Sequence, residues 1–144
     1  MPPHRSTDRP AGYSRTPLVK KLGIREGDRV YFQNPPTGYR KLLGPLPGSV
    51  EVTGPQSRSL NFIHSFVDKA SQLQKRLPSL RKRIVRDGMI WISWPKKSSG
   101  VTTDMTEDVV RKYAFANTLV DVKVCAVDEI WSGLKLVIRK EDRL

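Results

Sequence analysis

The sequence predicts an α/β protein, a three-layer sandwich on a mostly parallel sheet of about six strands that closes in an antiparallel hairpin. Three observations carry this reading. Apolar runs that read as strands alternate with stretches of helical periodicity along the 144 residues. The run Met89, Ile90, Trp91, Ile92, Trp94 ends at Pro95, passes through a polar loop (Lys96, Lys97, Ser98, Ser99, Gly100) and leads into a helix. The last two strands alternate apolar and polar residues with only the turn Asp128–Gly133 between them. Strands alternating with helices argue for parallel pairing through right-handed crossovers, and a tight turn between two strands forces an antiparallel pair.

Taken in order, Thr16–Leu22 reads as a short helix with Thr16 as its cap, Pro17 in its first position and Gly23 as its stop. Arg29–Gln33 reads as the first strand. The turn from Asn34 to Tyr39 and a short helix over Arg40–Leu43 follow, ended by the Gly- and Pro-rich stretch Leu43–Gly48. Val50–Val52 is a brief strand and Asn61–Val67 a longer one, rich in bulky apolar side chains. Ala70, Leu73, Leu77, Leu80 and Ile84 recur at steps of three and four, which is one apolar stripe on a helix. Pro78 falls inside that pattern and predicts a kink or a restart. Arg86-Asp87-Gly88 reads as the turn into the Trp91 strand.

The next helix is expected to start around Asp104 to Thr106. Thr103 or Asp104 stands three residues ahead of Thr106 or Glu107, in the manner of a capping box. Its apolar face would hold Val109, Val110, Tyr113, Ala114 and Leu119. By alternation, Val120, Val122, Val124 and Ala126 share one face of the first closing strand, and Leu134, Leu136 and Ile138 one face of the second. The order of elements is that of a Rossmann-like sandwich cut short in its first half.

The length suits a single domain, expected over residues 17–140, with a loose basic arm at 1–16 and a tail at 141–144. With 38% hydrophobic and 28% charged residues the composition is globular, and no apolar run is long enough to cross a membrane. The basic start lacks the apolar core of a secretory signal. The single cysteine, Cys125, excludes an internal disulfide framework and fits a reducing cytoplasm, so a cytoplasmic location is expected. The net charge of +12 is unevenly spread, for residues 69–86 hold seven basic residues and no acid.

Two stretches carry a resemblance. DGMIWISWPK resembles the fifth-strand region of the class I S-adenosylmethionine-dependent methyltransferases, and LVDVKVCAVDEIWSGLKLVIRK resembles their last two strands. ISWPKKSSGVTTDMTEDVVR and VDVKVCAVDEIWSGLKLV also resemble a small bacterial family known only as a domain of unknown function, over roughly residues 12 to 140. The resemblance implies a methyltransferase-like fold. It also sets two requirements for a cofactor site, a glycine-rich turn after the first strand and an acidic residue at the end of the second. Here the turn is Gln33-Asn34-Pro35-Pro36-Thr37-Gly38-Tyr39, with two prolines that lack backbone donors, and Glu51 stands a place or two early. No cofactor is therefore expected.

The candidate site is the crevice at the carboxyl ends of the strands, formed by Asn34, Thr37, Gly38, Tyr39, Trp94, Lys96, Lys97, Ser98, Ser99 and Trp131. Two cations with hydroxyl and backbone donors ahead of a helix suit a phosphate or carboxylate, and the tryptophans suit a flat anionic ligand. The spacing is not that of a P-loop. His64 and His4 lack partners at metal-ligand spacing, and adjacent Asp128 and Glu129 would point to opposite faces of a strand, so neither a metal nor a paired acid and base is expected. The primary expectation is a binding or regulatory module rather than an enzyme, holding an anionic small molecule or a protein partner. A residual methyltransferase is one alternative. A nucleic-acid binder acting through Lys75, Arg76, Arg81, Lys82 and Arg83 is the other, although no nucleic-acid-binding motif accompanies that helix.

Overall fold

The structure is a computed structural model that describes residues 16–143. The arm expected over 1–16 lies outside the described residues apart from Thr16, as does Leu144 of the tail. The elements are α1 (Leu18–Leu22), β1 (Arg29–Gln33), α2 (Tyr39–Leu43), β2 (Glu51–Val52), β3 (Leu60–Phe66), α3 (Ala70–Arg83), β4 (Ile84–Pro95), α4 (Glu107–Ala116), β5 (Leu119–Ala126) and β6 (Trp131–Ile138). They build one six-stranded sheet in the order β2-β1-β3-β4-β6-β5. The pairs among β1 to β4 are parallel, and β6 runs antiparallel to both β4 and β5. The predicted mixed sheet with its closing hairpin is therefore the sheet observed.

The sheet separates two cores. On one face Leu73, Leu77 and Leu80 of α3 and Val110 and Ala114 of α4 pack on Ile63, Ile90, Ile92, Trp94, Leu134 and Leu136. On the other, Leu18 and Leu22 of α1 and Tyr39 and Leu43 of α2 pack on Val30, Phe62, Phe66 and Trp91. Alternation along β4 sends Trp91 to the second core and its neighbours to the first, as the sequence pattern implies. The indole Nε1 of Trp91 donates to the Leu22 carbonyl at 2.8 Å, which ties the end of α1 to the sheet. Gly23, at φ +89°, ends that helix as expected, whereas Pro17 takes the N-cap position with no side-chain cap bond.

Several local expectations are corrected. Helix α3 runs on through Pro78 to Arg83, so the proline does not divide it. Ile84 belongs to β4 and not to the helix, and Arg86-Asp87-Gly88 is part of that strand. The pairing jumps from Leu60–Ile84 to Phe62–Met89, so the intervening residues bulge out of the ladder. In β5 the register also shifts, between Asp121 and Lys123. Val120 lies opposite Val137 and Val124 opposite Leu134, residues that pack into different cores, so the valines do not share a face. One extra residue in a strand reverses the alternation beyond it. Leu119 starts β5 instead of extending α4.

No helix among the described residues is long and apolar enough to cross a membrane. At the bulge, a Cβ on Gly88 would lie 3.0 Å from the Leu60 carbonyl and 3.1 Å from that of Val85. Backbone atoms cannot move aside as a side chain does. Gly88→Ala is therefore expected to destabilise the fold by about 1–3 kcal/mol, read as a lower urea midpoint at unchanged slope.

Candidate functional site

The carboxyl ends of β1, β3 and β4 define one edge of the sheet, and the loops that leave them hold the residues singled out above. After β4, Lys96 N–H donates to the Ile130 carbonyl at 2.7 Å, which joins this loop to the β5–β6 turn. Ser99 closes the loop on itself, its hydroxyl donating to the Lys96 carbonyl at 2.6 Å and accepting from Val101 N–H at 3.2 Å. Gly100, at φ +78°, completes the turn. Ser99 is thus a shaping residue. Neither Lys96 nor Lys97 belongs to an ion pair among the described residues.

The next segment fastens two helices. Asp104 accepts from Ala70 N–H at 2.8 Å and so caps the start of α3, not α4. The Thr103 hydroxyl donates to the Asp68 carbonyl at 2.6 Å and accepts from Met105 N–H at 3.0 Å. Thr106 is the N-cap of α4, its hydroxyl accepting from Val109 N–H at 3.1 Å. These bonds set the start of α4 against the lysine loop. Between them lies a pocket of about 330 Å3 lined by Trp94, Pro95, Lys96, Lys97, Met105, Thr106, Glu107 and Ser132. Met105, Thr106, Glu107 and Ser132 were not on the predicted list, and the cap pattern ahead of α4 was a signal only for Thr106 and Glu107. Glu107 brings negative charge to this pocket, but Arg111, four residues on, pairs with it.

The other predicted residues lie elsewhere. Pro95 and Trp131 are direct partners in the β4–β6 ladder, so Trp94 and Trp131 fall on opposite faces of the sheet. Trp94 packs with α3 and α4, and Trp131 packs edge-on against Phe66 with ring centres 5.1 Å apart. A single cleft walled by both indoles is not formed. Asn34, Thr37 and Gly38 are exposed in the turn after β1, on the side of α1 and α2, and Ser98 is exposed beside the pocket without lining it.

Tyr39 belongs to the core. It is 2% exposed, its ring meets Phe32, His64 and Phe66 edge-on, and its hydroxyl lies 2.7 Å from His64 Nδ1. His64 Nε2 in turn lies 2.7 Å from Ser93 Oγ. This serine–histidine–tyrosine chain is buried, and His64 is a hydrogen-bonded core residue. A neutral imidazole donates through one nitrogen and accepts through the other, which suits two hydroxyl partners. No buried polar side-chain atom among the described residues lacks a partner.

Two features govern whether S-adenosylmethionine fits. The turn after β1 carries Pro35 and Pro36, with positive φ at Asn34 (52°) and Gly38 (83°), and it leads straight into the buried Tyr39. Strand β2 has only two residues, and Glu51 lies level with Arg29, the first residue of β1, to which it is ion-paired at 3.1 Å. Gln33 ends β1 four residues further on, about 13 Å away at strand rise. The hydroxyl and N–H of Thr53 both donate to the Val30 carbonyl, at 2.9 and 2.8 Å. A carboxylate at the wrong end of the sheet cannot hold ribose hydroxyls at the carboxyl edge. The residues present do not fit that cofactor.

The predicted nucleic-acid face of α3 is also altered by tertiary contacts. Arg76 donates to the Phe66 carbonyl at 3.1 Å and Arg81 to the Thr118 hydroxyl at 2.9 Å. Arg83 is buried, donating to the carbonyls of Ser57 and Gly54 at 2.7 and 3.1 Å. Its place on a solvent-facing stripe is corrected, because the loop before β3 folds over the end of α3. Only Lys75 and Lys82 of the five stay exposed.

Comparison with known proteins defines the class of fold. No protein-family model matches the sequence, and neither does any curated protein. Solved structures do match. An S-adenosylmethionine-dependent methyltransferase from Aquifex aeolicus aligns at a TM-score of 0.61 and 15% identity, over 84% of this chain and 88% of that one. Magnesium protoporphyrin IX methyltransferase from Synechocystis with bound S-adenosylmethionine aligns at 0.58 and 10%, over 84% and 74%. Aeropyrum pernix fibrillarin with natively bound S-adenosyl-L-methionine aligns at 0.56 and 16%, over 84% and 72%. The chain has the methyltransferase-like Rossmann fold, and at these identities the likeness speaks to fold alone.

Burial holds the His64 imidazole neutral and lowers its pKa to about 3. In the unfolded chain it titrates near 6.5. Between those values the unfolded state binds the extra proton, so stability is full above about pH 6.5 and falls as pH drops toward 3, by at most about 1.4 kcal/mol per pH unit for this one group. The expected outcome is a urea midpoint that declines from pH 6.5 to pH 5, where most carboxylates are still ionised, and a flatter profile in His64→Asn.

Proposed function

We propose that this chain is a non-enzymatic binding or regulatory module on a methyltransferase-like fold, holding an anionic ligand or an acidic partner segment at the carboxyl edge beside β4. The observation that carries the reading is the pocket between the lysine loop and the start of α4. Trp94 and Met105 give it an apolar floor, and Lys96 and Lys97 bring two cations with no ion-pair partner among the described residues. Concave sites with an apolar lining and few polar groups are the usual form of small-molecule sites. A degenerate cofactor half, with prolines in the first turn and a two-residue β2, belongs to the same proposal, as does kinship with the small bacterial family that the two sequence strings resemble.

A residual methyltransferase is the second reading. It is supported by the fold neighbours, two of which hold S-adenosylmethionine. Against it stand the position of Glu51 and the shape of the turn after β1. Nucleic-acid binding through α3 has less support, because three of its five cations are tied to the protein itself.

The readings separate in one thermal-shift experiment on the purified chain, with ATP as the anionic probe and S-adenosylhomocysteine as the cofactor probe. A ligand at about 100 times its Kd adds roughly 2.7 kcal/mol of stability, a rise of several degrees in Tm. The expected result is a rise with ATP that is reduced in Lys96→Ala/Lys97→Ala, and no rise with S-adenosylhomocysteine. A salt-resistant rise with S-adenosylhomocysteine that survives in the double variant would establish the methyltransferase reading instead.

A further inference from the structure

Arg83 is a buried cation with no carboxylate paired to it among the described residues. It is 8% exposed. Its Nε donates to the Ser57 carbonyl and its Nη2 to the Gly54 carbonyl, and its guanidinium carbon lies 4.5 Å from the centre of the Tyr31 ring. Carbonyl dipoles and a ring face spread the positive charge without cancelling it. A guanidinium has five N–H donors, and these two bonds use two of them. Buried charges are ordinarily paired, so a fixed guanidinium with spare donors marks a place for an anion.

The surroundings agree. Arg83 lines a pocket of about 440 Å3 with Arg58, Lys75, Lys82, Gln56 and Ser79, between the rings of Pro55 and Pro78. No Asp or Glu among the described residues lines it. Lys75, Pro78, Ser79 and Lys82 are spaced three, four and seven residues apart, the spacing of one helix face. Arg58 reaches the same space from the loop between β2 and β3, so four cations converge from two elements.

We propose that this pocket is a second anion site, which binds a compact phosphorylated group of the pyrophosphate class. Arg83 is its fixed floor, and Arg58, Lys75 and Lys82 close on the outer oxygens. A nucleic-acid strand would need the positive track to continue along α3. It does not, because Arg76 and Arg81 bond to Phe66 and Thr118. The site shares no lining residue with the pocket at Lys96 and Lys97.

The test is calorimetric titration of the full chain with inorganic pyrophosphate, with ADP in parallel to distinguish a nucleotide from the free anion. The expected result is saturable binding of at least one of the two at a single site, weakened at least about tenfold in Arg58→Ala/Lys82→Ala, the equivalent of one charge-assisted contact. Both substitutions are at exposed positions, so the variant keeps its fold. In the Lys96→Ala/Lys97→Ala background, which removes the cations of the site at β4, pyrophosphate binding should persist and be weakened by the added Arg58→Ala/Lys82→Ala. Absence of saturable binding, or equal weakening by the two double variants, would overturn the proposal. Tighter binding of short single-stranded DNA, lost in Arg58→Ala/Lys82→Ala, would replace it with a nucleic-acid site. The ATP response at Lys96 and Lys97 is the part of the thermal shift that Arg58→Ala/Lys82→Ala leaves in place, so failure of one proposal is told apart from failure of the other.

Discussion

The double-sided burial of β4 is the constraint on which the rest depends. From Gly88 to Pro95 every residue is buried, with β3 on one side and β6 on the other. A strand in that position must be apolar on both faces, and it must be paired along both edges. Trp91 fills one core while Ile90, Ile92 and Trp94 fill the other, so a single stretch of chain joins the two layers of helices. The polar exceptions are accommodated locally. Ser93 meets His64, His64 meets Tyr39, and Gly133 opposite Ser93 leaves room that a Cβ, 3.1 Å from the Ser93 hydroxyl, would take. A buried polar chain that is fully satisfied makes the core more specific, where a half-satisfied one would weaken it.

The shortness of β2 has two consequences. A full β-α-β crossover would carry the second strand up to the carboxyl edge and return through a helix. Here β2 pairs only with the first two residues of β1, and the chain returns to β3 without a helix. The carboxylate of Glu51 is left at the amino end beside Arg29, away from the carboxyl edge of the sheet. The returning loop then lies over the end of α3, where it buries Arg83 and supplies Arg58 to the cationic pocket. The position of Glu51 and the cationic pocket both follow from the short β2 and the helix-free return to β3.

Local sequence patterns were enough for much of this. Alternation and helical periodicity located all six strands and four helices, Gly23 marked the end of α1, and the polar loop after Pro95 marked the start of the lysine pocket. They failed where one residue shifts a pattern. A bulge in β5 divides its valines between two faces, and a bulge at Gly88 extends β4 back to Ile84. Hydrophobicity cannot report a bulge, since the residues are the same and only their partners change.

What the sequence determined by itself is therefore the order, type and approximate span of the elements, because these depend on contacts between near neighbours in the chain. Which side chains meet was decided by tertiary structure. Register placed Trp94 and Trp131 on opposite faces and Tyr39 inside, and the loop before β3 turned Arg83 from a surface cation into a buried one. The cap pattern pointed to Thr103 or Asp104 as the cap of α4, but the packing of α3 against α4 gave Asp104 to the other helix and left the cap to Thr106. Such outcomes rest on residues tens of positions apart, and spacing along the chain carries no record of them.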